Sequence, residues 1–353
     1  MFKAGLWGNG FVAGSHVEAL RTLGVEVVAV CGRDFSKTEK FAEKFGIPLY
    51  GTEPDLILDH KEIDVIHITT PPTLHTDMVK RALGRQKHVL CEKPLCLANE
   101  DALELRRVAQ ESERRVAVNF NFRCYQAVGQ VRDFVRAGGL GELRLVRASF
   151  LQEFHALPAE YGWRYDEQIA GQMRAISELG SHVVDMVMYL TGQTVSSVSA
   201  QSYAAHPSRK LRDNYMYVDG EGQDVVVNSE DVAVMNLRLS GGAFCTIVLS
   251  EISHGRHNRF SVELSGDMAG IWWNSEEANW HYIGRKNRGI QSYVNGFGDG
   301  FNDTFSSHFR RAYQYFATGD ANGVATLEDG ILNVEILNAA LESSREGGVI
   351  IQL

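Results

Sequence analysis

The chain has 353 residues, of which 44% are hydrophobic and 22% charged, a composition that excludes wholesale disorder and collagen-like structure. Its length predicts about two domains. Lys and Arg number 35 against 44 Asp and Glu, and the resulting net charge of -9 argues against a nucleic-acid-binding protein.

The sequence predicts neither a membrane span nor an export signal. No window approaches the roughly 18 unbroken apolar residues of a membrane helix, and the N-terminus runs directly into a glycine motif. The five cysteines form no CxxC pair, which indicates reduced, buried thiols. We therefore expect a cytoplasmic protein. The short basic run Arg209-Lys210-Leu211-Arg212 is expected to be a solvated loop.

The first third of the chain alternates apolar runs with helical patterns. Helices are predicted at 12–23, 36–45, 73–83 and 99–111, and Ser36 is a candidate N-cap for the second of them. Strands are predicted at 2–7, 25–31, 63–69, 88–91 and 116–120. Strands separated by helices in this way predict parallel βαβ units in a doubly wound sheet.

After residue 122 the pattern changes. Helices are predicted at 128–137, 181–190 and 328–345. Longer alternating runs predict antiparallel strands at 143–150, 195–201, 232–239, 243–250, 260–264 and 270–274. The predicted fold class is α/β, with a dinucleotide-binding domain of the Rossmann type at 1–122 and an α+β domain with an open, mainly antiparallel sheet at 123–353.

A glycine turn follows the first predicted strand. Gly8, Gly10 and Ala13 form a GxGxxA pattern between a strand and a helix, where a dinucleotide fingerprint belongs. The first glycine permits the tight turn, and the second lets the backbone approach a pyrophosphate. The N–H groups of Phe11, Val12 and Ala13 open the helix and favour an anion. The alternative is an ordinary tight βα turn.

The end of the second strand bears on the choice between NAD and NADP. An acidic residue there would bind the ribose 2′-hydroxyl, whereas an arginine would accept a 2′-phosphate. The expected acidic position is Gly32, and Arg33 follows it. This arrangement favours NADP. NAD remains an alternative, because Asp34 could reach the ribose after a small shift in register. Arg33 could also be an ordinary solvated charge in a loop.

The fourth strand ends in Glu92-Lys93-Pro94. Ligands in open α/β sheets bind beyond the carboxyl ends of strands, so Lys93 is expected to point into the cleft. Its ammonium would hold a substrate hydroxyl and stabilise alkoxide character during hydride transfer. The alternative is a strand-end lysine that pairs with Glu92 or extends into water.

A second group of polar residues opens the helix predicted at 181–190. Glu178 lies four residues before His182, and Asp185 lies three residues after it, so they share one helical face. A histidine held by a carboxylate is a usual general base for an alcohol. The alternative is a helix start, with Ser181 as N-cap and Asp185 in the first turn.

These patterns together resemble the Gfo/Idh/MocA group, which includes glucose-fructose oxidoreductase and inositol dehydrogenase, over the whole chain. The resemblance implies a Rossmann domain followed by a domain that binds substrate and whose sheet often forms an oligomer interface. It rests on Gly8-x-Gly10-x-x-Ala13, Thr70-Pro71-Pro72-x-x-His75, His88-Val89-Leu90-Cys91-Glu92-Lys93-Pro94, Asn121-Phe122-Arg123, Gly138-Gly139-Leu140-Gly141-Glu142 and Gly180-Ser181-His182-x-x-Asp185.

The resemblance also implies site residues. The family's lysine and histidine correspond to Lys93 and His182, and Glu178 stands where the family often has aspartate, one methylene shorter. Pro94 commonly follows a cis bond in the family. The cofactor groove is expected to include Thr70, Pro71, Pro72, His75 and Glu92. Substrate contacts are expected from Asn121 and Arg123 and, by their hydrogen-bonding and stacking groups, from Trp163 and Arg164.

The function predicted is NAD(P)-dependent hydride transfer between a sugar, inositol or related polyol and nicotinamide. His182, oriented by Glu178 or Asp185, would take the proton, and Lys93 would stabilise the oxyanion. Two alternatives are an NAD-dependent, redox-neutral glycoside-cleaving enzyme and a non-catalytic cofactor-sensing regulator. No metal site is predicted, and a homodimer or homotetramer is expected.

Overall fold

The computed structural model describes residues 2–295 and 300–353 and divides into two compact units. The first unit consists of Met1–Cys124 and Gly300–Val334, and the second of Tyr125–Asp299 and Glu335–Leu353. The first change of unit lies two residues after the predicted boundary at 122. Residues 300–334, however, return to the first unit, whereas the prediction assigned them to the second domain.

The first unit contains a six-stranded, all-parallel sheet of order β3-β2-β1-β4-β5-β6. This is the order of a doubly wound dinucleotide-binding sheet, and it confirms the predicted Rossmann-type architecture. Its strands are β1 (Ala4–Trp7), β2 (Val27–Cys31), β3 (Leu49–Gly51), β4 (Val65–Ile68), β5 (His88–Cys91) and β6 (Val116–Val118).

Five helices connect these strands. Asp34 caps the second helix by accepting a hydrogen bond from the Lys37 backbone N–H, so the predicted cap at Ser36 is wrong by two residues. A short 3-10 turn, Pro72–Leu74, precedes the fourth helix. The helices are α1 (Phe11–Thr22), α2 (Phe35–Phe45), α3 (Asp55–Leu58), α4 (His75–Gly84) and α5 (Asn99–Gln110).

The register aligns the carboxyl ends of the strands. Trp7 pairs with both Cys31 and Ile68, and Ile68 pairs with Cys91. The residue after each strand continues the ladder, since Thr69 N–H donates to the Trp7 carbonyl at 2.9 Å and Glu92 N–H to that of Ile68 at 2.9 Å. The glycine turn, the Thr69 loop and Glu92-Lys93 therefore emerge side by side at one sheet edge.

The second unit is built on a nine-stranded sheet of order β18-β17-β16-β15-β7-β14-β13-β9-β19. All of its pairs are antiparallel except β7 with β14, which are parallel, and this confirms the predicted mainly antiparallel sheet. Its strands are β7 (Leu143–Leu151), β9 (Val195–Tyr203), β13 (Val232–Leu239), β14 (Phe244–Ser250), β15 (Arg259–Gly266), β16 (Gly270–Asn274), β17 (Trp280–Arg285), β18 (Gly289–Val294) and β19 (Ile351–Gln352).

A smaller sheet and three helices complete the second unit. The sheet has order β12-β10-β11-β8. Arg209 lies in β10 and is 1% exposed, so the predicted solvated loop at 209–212 is wrong: local charge did not reveal a buried partner, Asp231. The elements are β8 (Ala159–Glu160), β10 (Ser208–Arg212), β11 (Tyr215–Tyr217), β12 (Gln223–Val226), α6 (Gln126–Arg136), α7 (Glu167–Ala170) and α8 (Ser181–Thr191).

The returning segment of the first unit contains α9 (Phe301–Thr318) and the start of α10 (Leu327–Arg345). The α9 side chains Phe305, Phe309 and Phe316 are buried in the same cluster as apolar residues of the first sheet. Burying three phenylalanines stabilises this packing by roughly 2 kcal/mol each, which explains why the segment joins the first unit. Among the helices that the structure describes, none is long and apolar enough to cross a membrane.

Candidate functional site

The glycine turn has the geometry of a phosphate-binding turn. Gly8 has φ +121°, and a Cβ there would lie 2.6 Å from the Thr69 hydroxyl oxygen, so only glycine fits. A Cβ on Gly10 would have no atom within 4 Å, which leaves its backbone open to a ligand. Gly10 caps α1 without a side-chain hydrogen bond. The first N–H groups of α1 are thus available to a pyrophosphate, and this edge fits a dinucleotide.

The end of β2 has no room for an acidic residue. A Cβ on Gly32 would lie 2.3 Å from the Thr38 hydroxyl oxygen and 2.8 Å from the Asn9 amide nitrogen, two groups that hydrogen-bond each other at 3.0 Å. Asp34 uses one carboxylate oxygen to cap α2. Arg33 is exposed beside them. This arrangement explains why glycine occupies the position where a ribose-binding acid is expected.

The loop after β4 is held by a buried histidine. His75 is fully buried, with Nδ1 2.8 Å from the Pro94 carbonyl oxygen and Nε2 2.9 Å from that of Thr70. Burial lowers its pKa, against the opposing effect of these carbonyl contacts. His75 was predicted among the groove residues. In the structure its two ring contacts link the loop of Thr70, Pro71 and Pro72 to the turn at Pro94.

Glu92 is held by neighbours from two other elements. Its Oε1 atom accepts a hydrogen bond from Asn119 Nδ2 at 2.5 Å and lies 2.9 Å from His16 Nε2. The Lys93 backbone N–H lies 3.4 Å from the other carboxylate oxygen, Oε2. The peptide bond between Lys93 and Pro94 is cis, as the resemblance implied. Glu92 therefore anchors the turn, and both Glu92 and Lys93 are half-buried.

Two residues predicted to contact substrate form hydrogen bonds inside the first unit. Asn121 is 2% exposed and donates to the Thr304 hydroxyl at 2.7 Å. Arg123 is 3% exposed and donates to the Val324 carbonyl at 3.0 Å and to Asp329 at 3.1 Å. Both side chains secure the returning segment of the first unit. Sequence proximity to the domain junction could not reveal partners about 200 residues away.

In the second unit, Glu178 lies on an unusual turn. Residues Ile176–Gly180 form one turn of π-helix that runs directly into α8. Such turns often occur at functional sites. Glu178 accepts from Arg164 Nε at 3.4 Å, and the Arg164 guanidinium lies 4.6 Å from the centroid of the Trp163 ring. The structure thus brings together Glu178, Arg164 and Trp163, of which Trp163 is partly exposed.

His182 and Asp185 lie in the first turns of α8. His182 is 8% exposed, with its ring centroid 6.2 Å from that of Phe150, and Asp185 is 2% exposed. No Ser181 side-chain cap is present, because the helix continues from the π-helical turn and Ser181 is not its start. The capping alternative considered for this motif is therefore wrong.

A buried ionic cluster lies near Glu178, and the sequence did not predict it. Arg174 donates to both Asp231 and Glu251, and Arg209 donates to the two Asp231 oxygens at 3.0 and 3.1 Å. All four side chains are 1% exposed. Burial raises the pKa of Glu251 to about 8, although Arg174 opposes this, and nearby acidic groups that include Glu178 add to it.

A cavity of about 280 Å³ adjoins this cluster. His155 lines it and hydrogen-bonds the Tyr165 hydroxyl, whose ring lies under the guanidinium groups of Arg174 and Arg209. Burial lowers the pKa of His155 to about 3. Among the described residues, no group of three or more His, Cys, Asp or Glu side chains is arranged to hold a metal ion.

Comparisons with known proteins agree on the family. Residues 2–120 match the GFO_IDH_MocA model, described as an oxidoreductase family with an NAD-binding Rossmann fold, and residues 128–271 match the GFO/IDH/MocA C-terminal domain. The chain is similar to levoglucosan dehydrogenase of Pseudarthrobacter phenanthrenivorans, with 27% identity over 291 residues, 78% of this chain and 74% of that protein.

Two further similarities extend this result. Glucose-6-phosphate 3-dehydrogenase of Bacillus subtilis is 27% identical over 267 residues, 75% of this chain and 72% of that protein. The solved structure of an inositol dehydrogenase homolog from Azotobacter vinelandii, complexed with NAD+, matches with a TM-score of 0.87. It is 21% identical and covers 100% of this chain and 97% of that one. At this identity the structural match supports the fold alone.

Proposed function

Because the chain belongs to the Gfo/Idh/MocA oxidoreductase family, we propose that it is an NAD(P)-dependent dehydrogenase of a sugar, inositol or related polyol. One observation carries the proposal. The uncapped N-terminus of α1, with Gly10 open beside it, lies on the same sheet edge as Lys93. A dinucleotide held at α1 is the ligand that this edge fits best, and Lys93 follows the end of β5 at the same edge.

We assign the roles as follows. When bound, the nicotinamide ring accepts or donates the hydride. His182 takes the hydroxyl proton of the substrate, and Lys93 stabilises the oxygen that loses it. Asp185 orients His182 from one helical turn away, and Glu178 shares its helical face. The Glu178 carboxylate accepts a hydrogen bond from Arg164, and this contact restricts the position of the carboxylate.

The substrate class is inferred from the relatives and from one pair of side chains. The two curated relatives are named as dehydrogenases of an anhydrosugar and a sugar phosphate. Trp163 and Arg164 offer an apolar ring beside a fork of N–H donors, a combination that suits the C–H faces and hydroxyl edges of a carbohydrate. We therefore place the sugar beside Trp163 and Arg164.

For the cofactor we propose NADP. The side chains of Thr38 and Asn9 leave no space for a ribose-binding acid at Gly32, Asp34 caps α2, and the exposed Arg33 can donate to a 2′-phosphate. Replacing Arg33 with Ala is expected to raise the KM for NADP about 10- to 100-fold, since it removes hydrogen bonds to a charged group. The KM for NAD is expected to change little. Equal effects on both cofactors would refute this assignment.

We also propose that the protein forms a homodimer or homotetramer through the outer face of the nine-stranded sheet. Val234, Val248, Phe244 and Leu145 are 36 to 59% exposed and lie opposite one another in register on this face. An exposed apolar face of this kind marks an interface. Light scattering should give the monomer mass for Val248→Asp, whereas a Val226→Asp control on the small sheet should retain the wild-type mass.

The activity test measures absorbance of the reduced nicotinamide with NAD and NADP separately. The panel contains aldoses, inositols, anhydrosugars, sugar phosphates and glycosides. Lys93→Ala and His182→Ala are each expected to lower kcat by about 100- to 10,000-fold. Lys61→Ala and His257→Ala, both at exposed positions, are the matched controls.

Growth of the signal with one sugar class and its loss in both variants would support the dehydrogenase. Cleavage of a glycoside without net nicotinamide reduction would instead support the redox-neutral alternative. Tight cofactor binding with no turnover of any substrate would favour a cofactor-sensing regulator.

A further inference from the structure

The interior of the first unit contains a continuous chain of polar side chains that ends at Glu92. The Tyr313 hydroxyl lies 2.9 Å from His67 Nε2, His67 Nδ1 lies 2.9 Å from His16 Nδ1, and His16 Nε2 lies 2.9 Å from Glu92 Oε1. His16 and His67 are fully buried, and Tyr313 is 9% exposed. Three hydrogen bonds thus connect a tyrosine on α9 to the residue before Lys93.

With both histidines neutral, the chemistry of imidazole fixes the order of protons in this chain. An ionised Glu92 can only accept, so His16 must carry its proton on Nε2, and a neutral His16 then accepts at Nδ1. His67 must therefore carry its proton on Nδ1 and accept at Nε2. The Tyr313 hydroxyl is left to donate to His67. Every proton points toward Glu92, and the two histidines hold opposite tautomers.

We propose that His16, His67 and Tyr313 are positioning residues, a proton-ordered chain that holds Glu92 ionised and fixed beside Lys93. The catalytic part of this inference rests on the proposed role of Lys93. The uncharged Tyr313 hydroxyl, three hydrogen bonds away, therefore helps to determine whether Glu92 beside Lys93 is ionised.

The electrostatics of Glu92 agree with this role. Burial by itself would raise the pKa of Glu92, but its hydrogen-bonding and charge interactions with His16, the hydrogen bond from Asn119 and the charge of Lys93 outweigh it and bring the pKa below its usual value. Burial lowers the pKa of His67 well below its ordinary value, which keeps that ring neutral as the tautomer argument requires.

The other titratable groups that act on the chain are consistent with it. Burial lowers the pKa of His308 to about 3, lowers that of His75, and raises that of Cys91 well above its usual value, so these three are neutral near pH 7. Burial raises the pKa of Tyr313, and the charge of Asp64 raises it further. Four other groups that are charged at pH 7 act on these residues. Lys93 acts on Glu92, Asp64 acts on Tyr313, and Arg123 and Arg311 act on His308.

The first test reads the tautomers directly in the cofactor-free protein. Nitrogen-15 NMR of histidine-labelled protein, assigned with His16→Gln and His67→Gln, distinguishes the two neutral tautomers and the cation. The expected result is Nε2–H on His16 and Nδ1–H on His67 at pH 7. The same tautomer on both rings, or a cation on either, would overturn the proposal.

The second test removes the far end of the chain. Tyr313→Phe keeps the ring but leaves His67 Nε2 without its donor, so the tautomer order weakens. The midpoint at which the His16 ring signals report protonation of Glu92 is expected to rise by about 0.5 to 1 pH unit, the equivalent of the one neutral hydrogen bond that Tyr313 donates. Tyr315→Phe on the same helix is the matched control and should leave this midpoint unchanged.

The kinetic readout uses the same variants. Because Glu92 must be ionised, the acid limb of kcat is expected to move to higher pH in Tyr313→Phe by the same amount as the NMR midpoint. An unchanged midpoint and an unchanged limb would overturn the proposal. If the wild-type protein oxidises no sugar, the proposed function fails. The NMR tautomers and the Glu92 midpoint still decide whether the hydrogen-bonded chain from Tyr313 to Glu92 is ordered.

Discussion

Arg174 is the residue whose replacement tests the buried ionic cluster most directly. It is 1% exposed, and it donates to Asp231, Glu251 and the Ser229 hydroxyl. Met has a similar length and no charge, so Arg174→Met removes the guanidinium while filling most of its volume. After the change Asp231 retains Arg209 as a partner. Glu251 loses the guanidinium that Arg174 provides.

The expected loss of unfolding free energy is about 3–5 kcal/mol, the penalty for removing one member of a buried ion pair. Its pH dependence follows from Glu251, whose folded pKa is raised to about 8. A raised folded pKa means that stability present at low pH is lost as pH rises through that value. Without Arg174 the pKa of Glu251 rises further, so the penalty of the substitution should be larger at pH 9 than at pH 6.

The assay is denaturant unfolding followed by tryptophan fluorescence. Four of the five tryptophans, Trp163, Trp272, Trp273 and Trp280, belong to the second unit, so the signal is dominated by the unit that contains the cluster. Arg144→Met is the control, because Arg144 forms an exposed ion pair with Glu142. Such pairs contribute about 0–1 kcal/mol.

A penalty for Arg174→Met no greater than that of the control would refute the view that Asp231 and Glu251 depend on this guanidinium. A penalty that shrinks between pH 6 and pH 9 would refute the assigned direction of the Glu251 shift. At pH 9, Arg174→Met combined with Glu251→Gln should recover part of the loss, since the amide does not carry the charge that Glu251 acquires above its pKa of about 8.

The remaining predictions concern the dinucleotide edge. Gly8→Ala should lower the unfolding free energy of the cofactor-free protein by about 1–3 kcal/mol, because φ is +121° and the new Cβ meets Thr69, as denaturant titration will show. Gly10→Ala should leave that stability unchanged, because nothing lies within 4 Å, yet weaken cofactor binding in a fluorescence titration with reduced nicotinamide dinucleotide. Asp34→Ala should lower the unfolding free energy by about 1 kcal/mol through loss of the α2 cap, and no loss would contradict the cap.

Local periodicity determined most of the first sheet and much of the second. The apolar runs at β2, β4 and β5 and the helices between them follow from spacing alone, because each strand is buried on both faces and each helix on one. The predictions for β13 and β16 match their bounds, since one face of each strand is buried and the sequence alternates accordingly. The sequence also located the glycine turn and Glu92-Lys93.

Tertiary structure decided the features that depend on distant partners. Helix α9 was not predicted, and its return to the first unit depends on phenylalanines that share a core cluster with residues between Ala4 and Ala117, more than 180 positions away. Asn121 and Arg123 were predicted to contact substrate, and only the structure reveals their hydrogen bonds to residues 183 to 206 positions away.

The two polar networks illustrate the same limit. His16 and His67 are separated by 51 residues, and Tyr313 lies 246 residues after His67, so no window of the sequence contains their hydrogen bonds. Arg209 resembled a solvated charge until folding placed it against Asp231. The sequence alone predicted which residues along the strand ends carry the chemistry. Folding determined which charges are buried together, because the partner of a buried polar group is set by the packing of whole elements and not by neighbours in the chain.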